Sequence, residues 1–222
     1  KYRTKQYPVS QFTSLHLFVV SLRCDYTCKY CQVSRRMESD SSYEMTEETA
    51  LKALSMVFMS PSKSLKIEFQ GGEPLLNFNL IKFIVEKASE INKQENKTLQ
   101  FVITTNLSYF TDEVSSFCEK HGIYISTSLD GPQHLHDKNR PRPGKNGYEL
   151  TVKSLKRVQE RLGNDRVSAL LTTSVGALDR VEEIIDEYLK LGFMNIFLRP
   201  LSPYGFAIKT KSYNKYQMSE WF

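Results

Sequence analysis

Three of the four cysteines in this 222-residue chain fall within positions 24 to 31, as Cys24-Asp-Tyr-Thr-Cys28-Lys-Tyr-Cys31. Thiolates are soft, anionic ligands for iron and zinc. Three of them on one short loop, with no fourth nearby, suit a cubane iron–sulfur cluster that keeps one iron open to a substrate or cofactor. Zinc is the competing reading. A closed zinc site wants four ligands, and the candidates for the fourth are Cys118, His16, His121, His134 and His136. A disulfide framework does not fit, because that signature belongs to short secreted chains with many paired cysteines.

Other segments carry polar chemistry with turn chemistry. In Gln70-Gly71-Gly72-Glu73-Pro74 the paired glycines let backbone approach a ligand closely, and Pro74 holds Glu73 extended. An ordinary strand-to-helix turn would look the same in isolation. Thr104-Thr105-Asn106 and Ser128-Leu129-Asp130-Gly131-Pro132 read as turns that also present hydroxyl, amide and carboxylate groups. Arg140 offers a fork of donors suited to a carboxylate, or is a surface basic residue. Arg199-Pro200-Leu201-Ser202-Pro203-Tyr204-Gly205 reads as a rigid loop.

The elements that hold these segments alternate. Apolar runs at 15–22, 65–70, 99–104, 123–129, 167–174 and 195–198 read as buried strands. Between them helical spacing recurs. Thr46 caps a helix bearing Ala50, Leu54, Val57 and Phe58, and the next carries Leu80, Phe83, Ile84 and Ala88. Thr111 caps one with Val114, Phe117 and Cys118 on its apolar face, where a small hydrophobe is the expected role of that cysteine. After a long loop come helices with Val152, Leu155, Val158 and Leu162, then Val181, Ile184, Ile185, Tyr188 and Leu189, closed by Gly192. Six β/α repeats imply a parallel α/β architecture, barrel or open sheet. Every polar segment above lies at a carboxyl end of a strand, the end where such folds place chemistry.

An apolar fraction of 40% supports a full core. No run approaches the length of a membrane span, and residues 1–14 lack an apolar signal region, so a reducing cytoplasm is the expected location. The net charge of +5 is modest. Its basic stretches, 138–145 and 209–215, come with no nucleic-acid recognition motif, so nucleic acid is not the expected partner.

Taken together, the CxxxCxxC loop with Tyr30 before its last cysteine, the GGEP run at 71–74, the Thr-Asn at 105–106 and the S-x-D-G-P run at 128–132 resemble the radical S-adenosylmethionine (SAM) enzymes. The resemblance extends from residue 15 to about 204 and is to the peptide- and protein-modifying branch. Stretches 31–35, 69–77 and 199–205 resemble most the His-Xaa-Ser system maturases. It implies an α/β fold, a partial (β/α)6 barrel of parallel strands lacking most of its last helix. An N-terminal extension at 1–14 would precede a core domain at 15–222.

The resemblance also implies a [4Fe–4S] cluster on Cys24, Cys28 and Cys31, with SAM on the open iron. The SAM amino group would meet Gly71, Gly72, Glu73 and Pro74, Ser128 would hydrogen-bond its ribose or carboxylate with Asn106 as a second polar contact, and Arg140 would meet the carboxylate. Tyr30 and Leu201 would flank the adenine. The implied activity is reductive SAM cleavage and hydrogen abstraction from a ribosomally made peptide or protein, fed by flavodoxin or ferredoxin. A small-molecule or nucleic-acid substrate, or a non-catalytic metal-binding scaffold, are the alternatives. In related maturases a C-terminal domain carries auxiliary clusters, but no cysteine follows Cys118 here. That absence, and an ending within an apparent helix start near Trp221 and Phe222, lead to the expectation of a core cut from a longer protein.

Overall fold

Side-chain alternation decides which way each strand faces in this protein. A computed structural model describes residues 13–202 and 204–209. The strands are β1 (Leu15–Ser21), β2 (Ser64–Gly71), β3 (Thr98–Thr105), β4 (Tyr124–Ser128), β5 (Val167–Thr173) and β6 (Phe197–Pro200). They pair in parallel in sequence order, so β1 and β6 form the two edges of a sheet that does not close.

Parallel neighbours need a crossover, and helices supply it. These are α1 (Glu47–Phe58), α2 (Phe78–Glu95), α3 (Asp112–His121), α4 (Gln133–Asn139), α5 (Gly147–Leu162), α6 (Val175–Leu178), α7 (Val181–Lys190) and, after β6, α8 (Phe206–Lys209). Thr46 accepts from the Thr49 N–H at 3.2 Å and Thr111 from the Val114 N–H at 3.3 Å, which satisfies otherwise orphaned donors. Gly122 and Gly192, at φ +61° and +81°, adopt the left-handed backbone that follows α3 and α7.

The outer face of the sheet is the core. Phe18, Val20, Ile67, Phe69, Phe101, Ile103, Ile125, Ala169 and Leu171 are buried against the helices. The inner face carries the alternate residues, among them Leu17, Val19, Glu68, Gln70, Thr104, Ser126, Ser128, Leu170, Thr172 and Arg199. The expectation that β1 is buried on both faces is therefore corrected. Leu15, Leu17 and Val19 are 43%, 52% and 44% exposed, because an unclosed sheet leaves the inner side of its edge strand uncovered.

The last strand also starts two residues later than its apolar run. Its register places Leu170 opposite Phe197 and Thr173 opposite Pro200. Pro200 lacks an N–H, which an edge strand tolerates. The expected loop before α5 instead contains α4, which delivers Arg140 at its C-terminal end. The sixth helix expected beyond residue 209, the surface at Trp221 and Phe222, and residues 1–12 of the N-terminal extension lie outside the described residues.

Candidate active site

The cysteine loop leaves β1 and is fastened to itself and to two other segments. Arg36 N–H donates to Leu22 O at 2.7 Å and Cys24 N–H to Arg36 O at 3.1 Å, closing the loop on itself. Thr27 and Lys29 N–H groups donate to the carbonyls of Pro141 and Asn139, at 2.7 and 3.1 Å, tying it to the end of α4 and the chain just beyond. Phe206 N–H donates to Cys31 O at 2.8 Å from α8. Gly205 adopts φ +58°, and a Cβ there would stand 2.6 Å from Gln32 backbone. Only glycine allows that approach.

All three cysteines line the same cleft. Burial pushes the Cys28 thiol up to about 11, and raises Cys24 and Cys31 as well, so a metal must displace tightly held protons. Two groups are ready for an anionic sulfur. The Tyr26 N–H lies 3.4 Å from Cys24 Sγ, and the Arg140 charge favours the thiolate of Cys28. Such hydrogen bonds and nearby charges accompany iron–sulfur ligands.

Among the described residues no group of three His, Cys, Asp or Glu side chains is arranged to hold a single metal ion. Three thiols on one loop bordering one cleft are the kind of donor set that an iron–sulfur cluster takes. The donor set fits the cluster. Cys118 is fully buried in the core on α3, away from these thiols.

The Gly71-Gly72 turn packs against the start of the loop. A Cβ on Gly71 would stand 2.0 Å from Ser21 O, and one on Gly72 would stand 2.2 Å from Arg23 O. The glycines thus serve a contact within the chain, while both also line the cleft. Glu73 is extended, as Pro74 requires, yet wholly buried. Its Oε1 accepts from Leu75 N–H at 3.0 Å and Thr105 Oγ1–H at 2.7 Å, and its Oε2 from Asn106 N–H at 2.8 Å. The carboxylate therefore joins the ends of β2 and β3. Pro74 is buried at the start of a short 3-10 turn and stands outside the cleft lining.

Asn106 and Ser128 both line the cleft. Asn106 Nδ2–H donates to Asp25 Oδ1 at 2.9 Å, and Arg142 pairs with the other Asp25 oxygen at 3.3 Å. Sequence reasoning passed over Asp25 and Arg142, although an aspartate inside the cysteine loop and a run of downstream arginines were the available signal.

Arg140 is 7% exposed, which corrects the surface reading. It forms an ion pair with fully buried Asp130 at 3.2 Å and lies over the Tyr30 ring, 5.2 Å from its centroid. Tyr30 O–H donates to the other Asp130 oxygen. The Asp130 N–H donates to His136 Nδ1 at 3.4 Å. Tyr30 and Arg140 border the cleft, whereas Leu201 packs with Tyr30 and Ala207 behind it, and neighbouring Pro200 and Ser202 are the lining residues.

A sequence model of the Radical SAM superfamily matches residues 18–192. The radical SAM cyclopropyl synthase TigE of Paramaledivibacter caminithermalis is 28% identical over 155 residues, covering 64% of this chain and 32% of that protein. A serine-type anaerobic sulfatase-maturating enzyme of Bacteroides thetaiotaomicron is 28% identical over 125 residues, covering 55% of this chain and 29% of that one. The chain thus spans about a third of these relatives. Among solved structures, native anSMEcpe with bound AdoMet superposes with a TM-score of 0.74 at 17% identity, over 85% of this chain and 51% of that one. Streptococcus suis SuiB bound to its precursor peptide SuiA gives 0.68 at 15%, over 96% and 45%. At such identities the likeness is one of fold. No helix among the described residues is long and apolar enough to cross a membrane.

Proposed function

The chain belongs to the radical SAM superfamily, and from that premise we propose that it binds a [4Fe–4S] cluster through Cys24, Cys28 and Cys31 and SAM in the adjoining cleft, to act on a peptide or protein. When bound, the cluster and SAM supply a 5′-deoxyadenosyl radical that abstracts hydrogen, and the chain supplies binding and orientation around it. The observation that carries the reading is convergence: three thiols, the Gly71-Gly72 turn, Asn106, Ser128 and Arg140 border one cleft at the carboxyl ends of the strands.

Within that cleft the residues divide the work. Gly71 and Gly72 offer backbone without side chains to an ammonium group, and Asn106 and Ser128 offer amide and hydroxyl contacts. Arg140, held by Asp130, presents positive charge beside Tyr30, which suits a carboxylate next to an aromatic ring. Glu73 acts by fixing the ends of β2 and β3, so its part in holding an ammonium is indirect. Leu201 supports Tyr30 from behind in flanking the adenine. An electron donor of the flavodoxin or ferredoxin type would reduce the cluster.

A peptide or protein substrate is favoured by the relatives' names. They include sulfatase-maturating enzymes, and the fold neighbours include SuiB bound to SuiA and anSMEcpe with a Cp18Cys peptide. Anaerobic reconstitution should give an iron–sulfur absorption and EPR signature, and 5′-deoxyadenosine on reduction with SAM. Replacing the three cysteines by alanine should abolish both. Stoichiometric zinc in anaerobically purified protein, with no SAM cleavage after reconstitution, would sink the proposal.

A further inference from the structure

Below the cleft, toward the amino ends of the strands, the inner face of the sheet holds one carboxylate in a singular setting. Glu68 is half-buried on β2. Gln70 Nε2–H and Thr104 Oγ1–H both donate to its Oε1, each at 2.7 Å. Those two donors themselves line the cleft, so Glu68 hangs directly beneath its floor. Its other oxygen, Oε2, makes no hydrogen bond or ion pair among the described residues. Lys66 shares the same face of β2 but forms no ion pair with it.

Glu68 borders a cavity of about 350 Å³ that includes Tyr124, Ser126, Leu170 and Phe197. Ser126 and Leu170 line the cleft as well, so the two spaces adjoin. The cavity's lining also carries Lys66, Asp165 and Arg166, of which Arg166 is engaged by Gly122 O at 2.9 Å and by the Tyr124 ring. Leu17 and Val19 stand on the β1 edge, and Phe197, 63% exposed, on the β6 edge. A charge in a half-enclosed space is costly unless matched. Two neutral donors on one oxygen orient this carboxylate and leave the other oxygen as an open acceptor. Leu170 and Phe197 would cover the stem of an entering side chain while the carboxylate meets its polar end.

We propose that Glu68 is the specificity-determining residue of the substrate site, selecting a side chain that ends in an N–H donor, a cationic one foremost, and rejecting acidic ones. The inference rests on the reading of the cleft as the SAM site and of the substrate as a peptide. Attraction and repulsion both contribute, since an acidic side chain would face an unneutralised carboxylate.

The test uses the reconstituted, SAM-loaded protein and short capped glycine peptides that differ only in a central lysine, leucine or glutamate, with binding followed by ligand-observed NMR. Wild type should hold the lysine peptide about tenfold more tightly than the glutamate peptide, the discrimination expected of one charge-assisted contact. Glu68→Gln, which keeps the accepting oxygen for Gln70 and Thr104, should bring that ratio close to one, and Glu68→Lys should invert it. Each ratio is internal to one protein, so a partly destabilised variant still reports. An unchanged ratio in Glu68→Gln overturns the proposal, and so does an absence of lysine-over-glutamate preference in a wild type that cleaves SAM. A wild type that does not cleave SAM at all instead overturns the reading of the cleft.

Discussion

Two buried residues pull the pH dependence of stability in opposite directions. Burial pushes Glu73 up to about 7, against three hydrogen bonds that favour its charged form. Its contribution is therefore complete below its ordinary value near 4.5 and is lost as pH rises to about 7. Burial pushes His136 down to about 4, so its contribution is present above about 6.5 and is lost as pH falls to about 4. Each is worth roughly 3 kcal/mol over its window by linkage, and the two nearly cancel between pH 4.5 and 6.5. Glu73→Gln should unmask the His136 slope. Urea unfolding of that variant should show stability rising from pH 4.5 to 6.5, where wild type stays flat. A variant profile as flat as wild type would show that Glu73 is an ordinary carboxylate.

At the scale of elements, the site depends on pieces of chain meeting where a side chain cannot fit. Gly72→Ala would drive a Cβ to 2.2 Å from the Arg23 carbonyl, which is backbone and cannot step aside. Loss of more than about 3 kcal/mol and of iron binding should follow. Gly176→Ala, whose Cβ would meet nothing closer than 3.8 Å, should stay within about 0.5 kcal/mol of wild type, both variants being compared by thermal unfolding.

The Asp130–Arg140 pair joins the β4 end to the chain after α4. Asp130→Asn leaves a buried guanidinium without its counter-charge and should cost roughly 3–5 kcal/mol. Adding Arg140→Met should recover part of that loss in a double-mutant cycle. A purely additive outcome would mean that the two charges do not depend on one another.

This is also the scale at which the sequence was most and least informative. The alternation of strands with helices and the caps at Thr46 and Thr111 were readable because they are local, and so were the polar segments at the strand ends. The short helix α4 was not readable, since the stretch from Gln133 to Asn139 is polar and shows no apolar stripe. Nor was the destination of Glu73. Its partners Thr105 and Asn106 are distant in sequence, and a carboxylate beside two glycines reads equally well as a ligand contact.

Across the whole molecule, the sheet and the cysteine loop are stabilised by different means. β2 to β5 lie over a continuous apolar core, and no bound group is needed to hold them. The loop has little such support. Beyond Tyr26 and Tyr30 it depends on polar contacts: backbone hydrogen bonds to residues 73, 139, 141 and 206, and the contacts of Asp25 with Asn106 and Arg142. A cluster on three thiolates would link these segments, and its binding free energy would then appear as local order. Removing iron with a chelator under anaerobic conditions should accordingly raise amide hydrogen exchange at residues 22–36, 139–142 and 205–207. The protection of β3 and α2 should change little, because opening there approaches global unfolding. A uniform rise across the sheet would show that the cluster belongs to the core of the fold. No rise in the loop would show that its hydrogen bonds alone hold the cysteines in place.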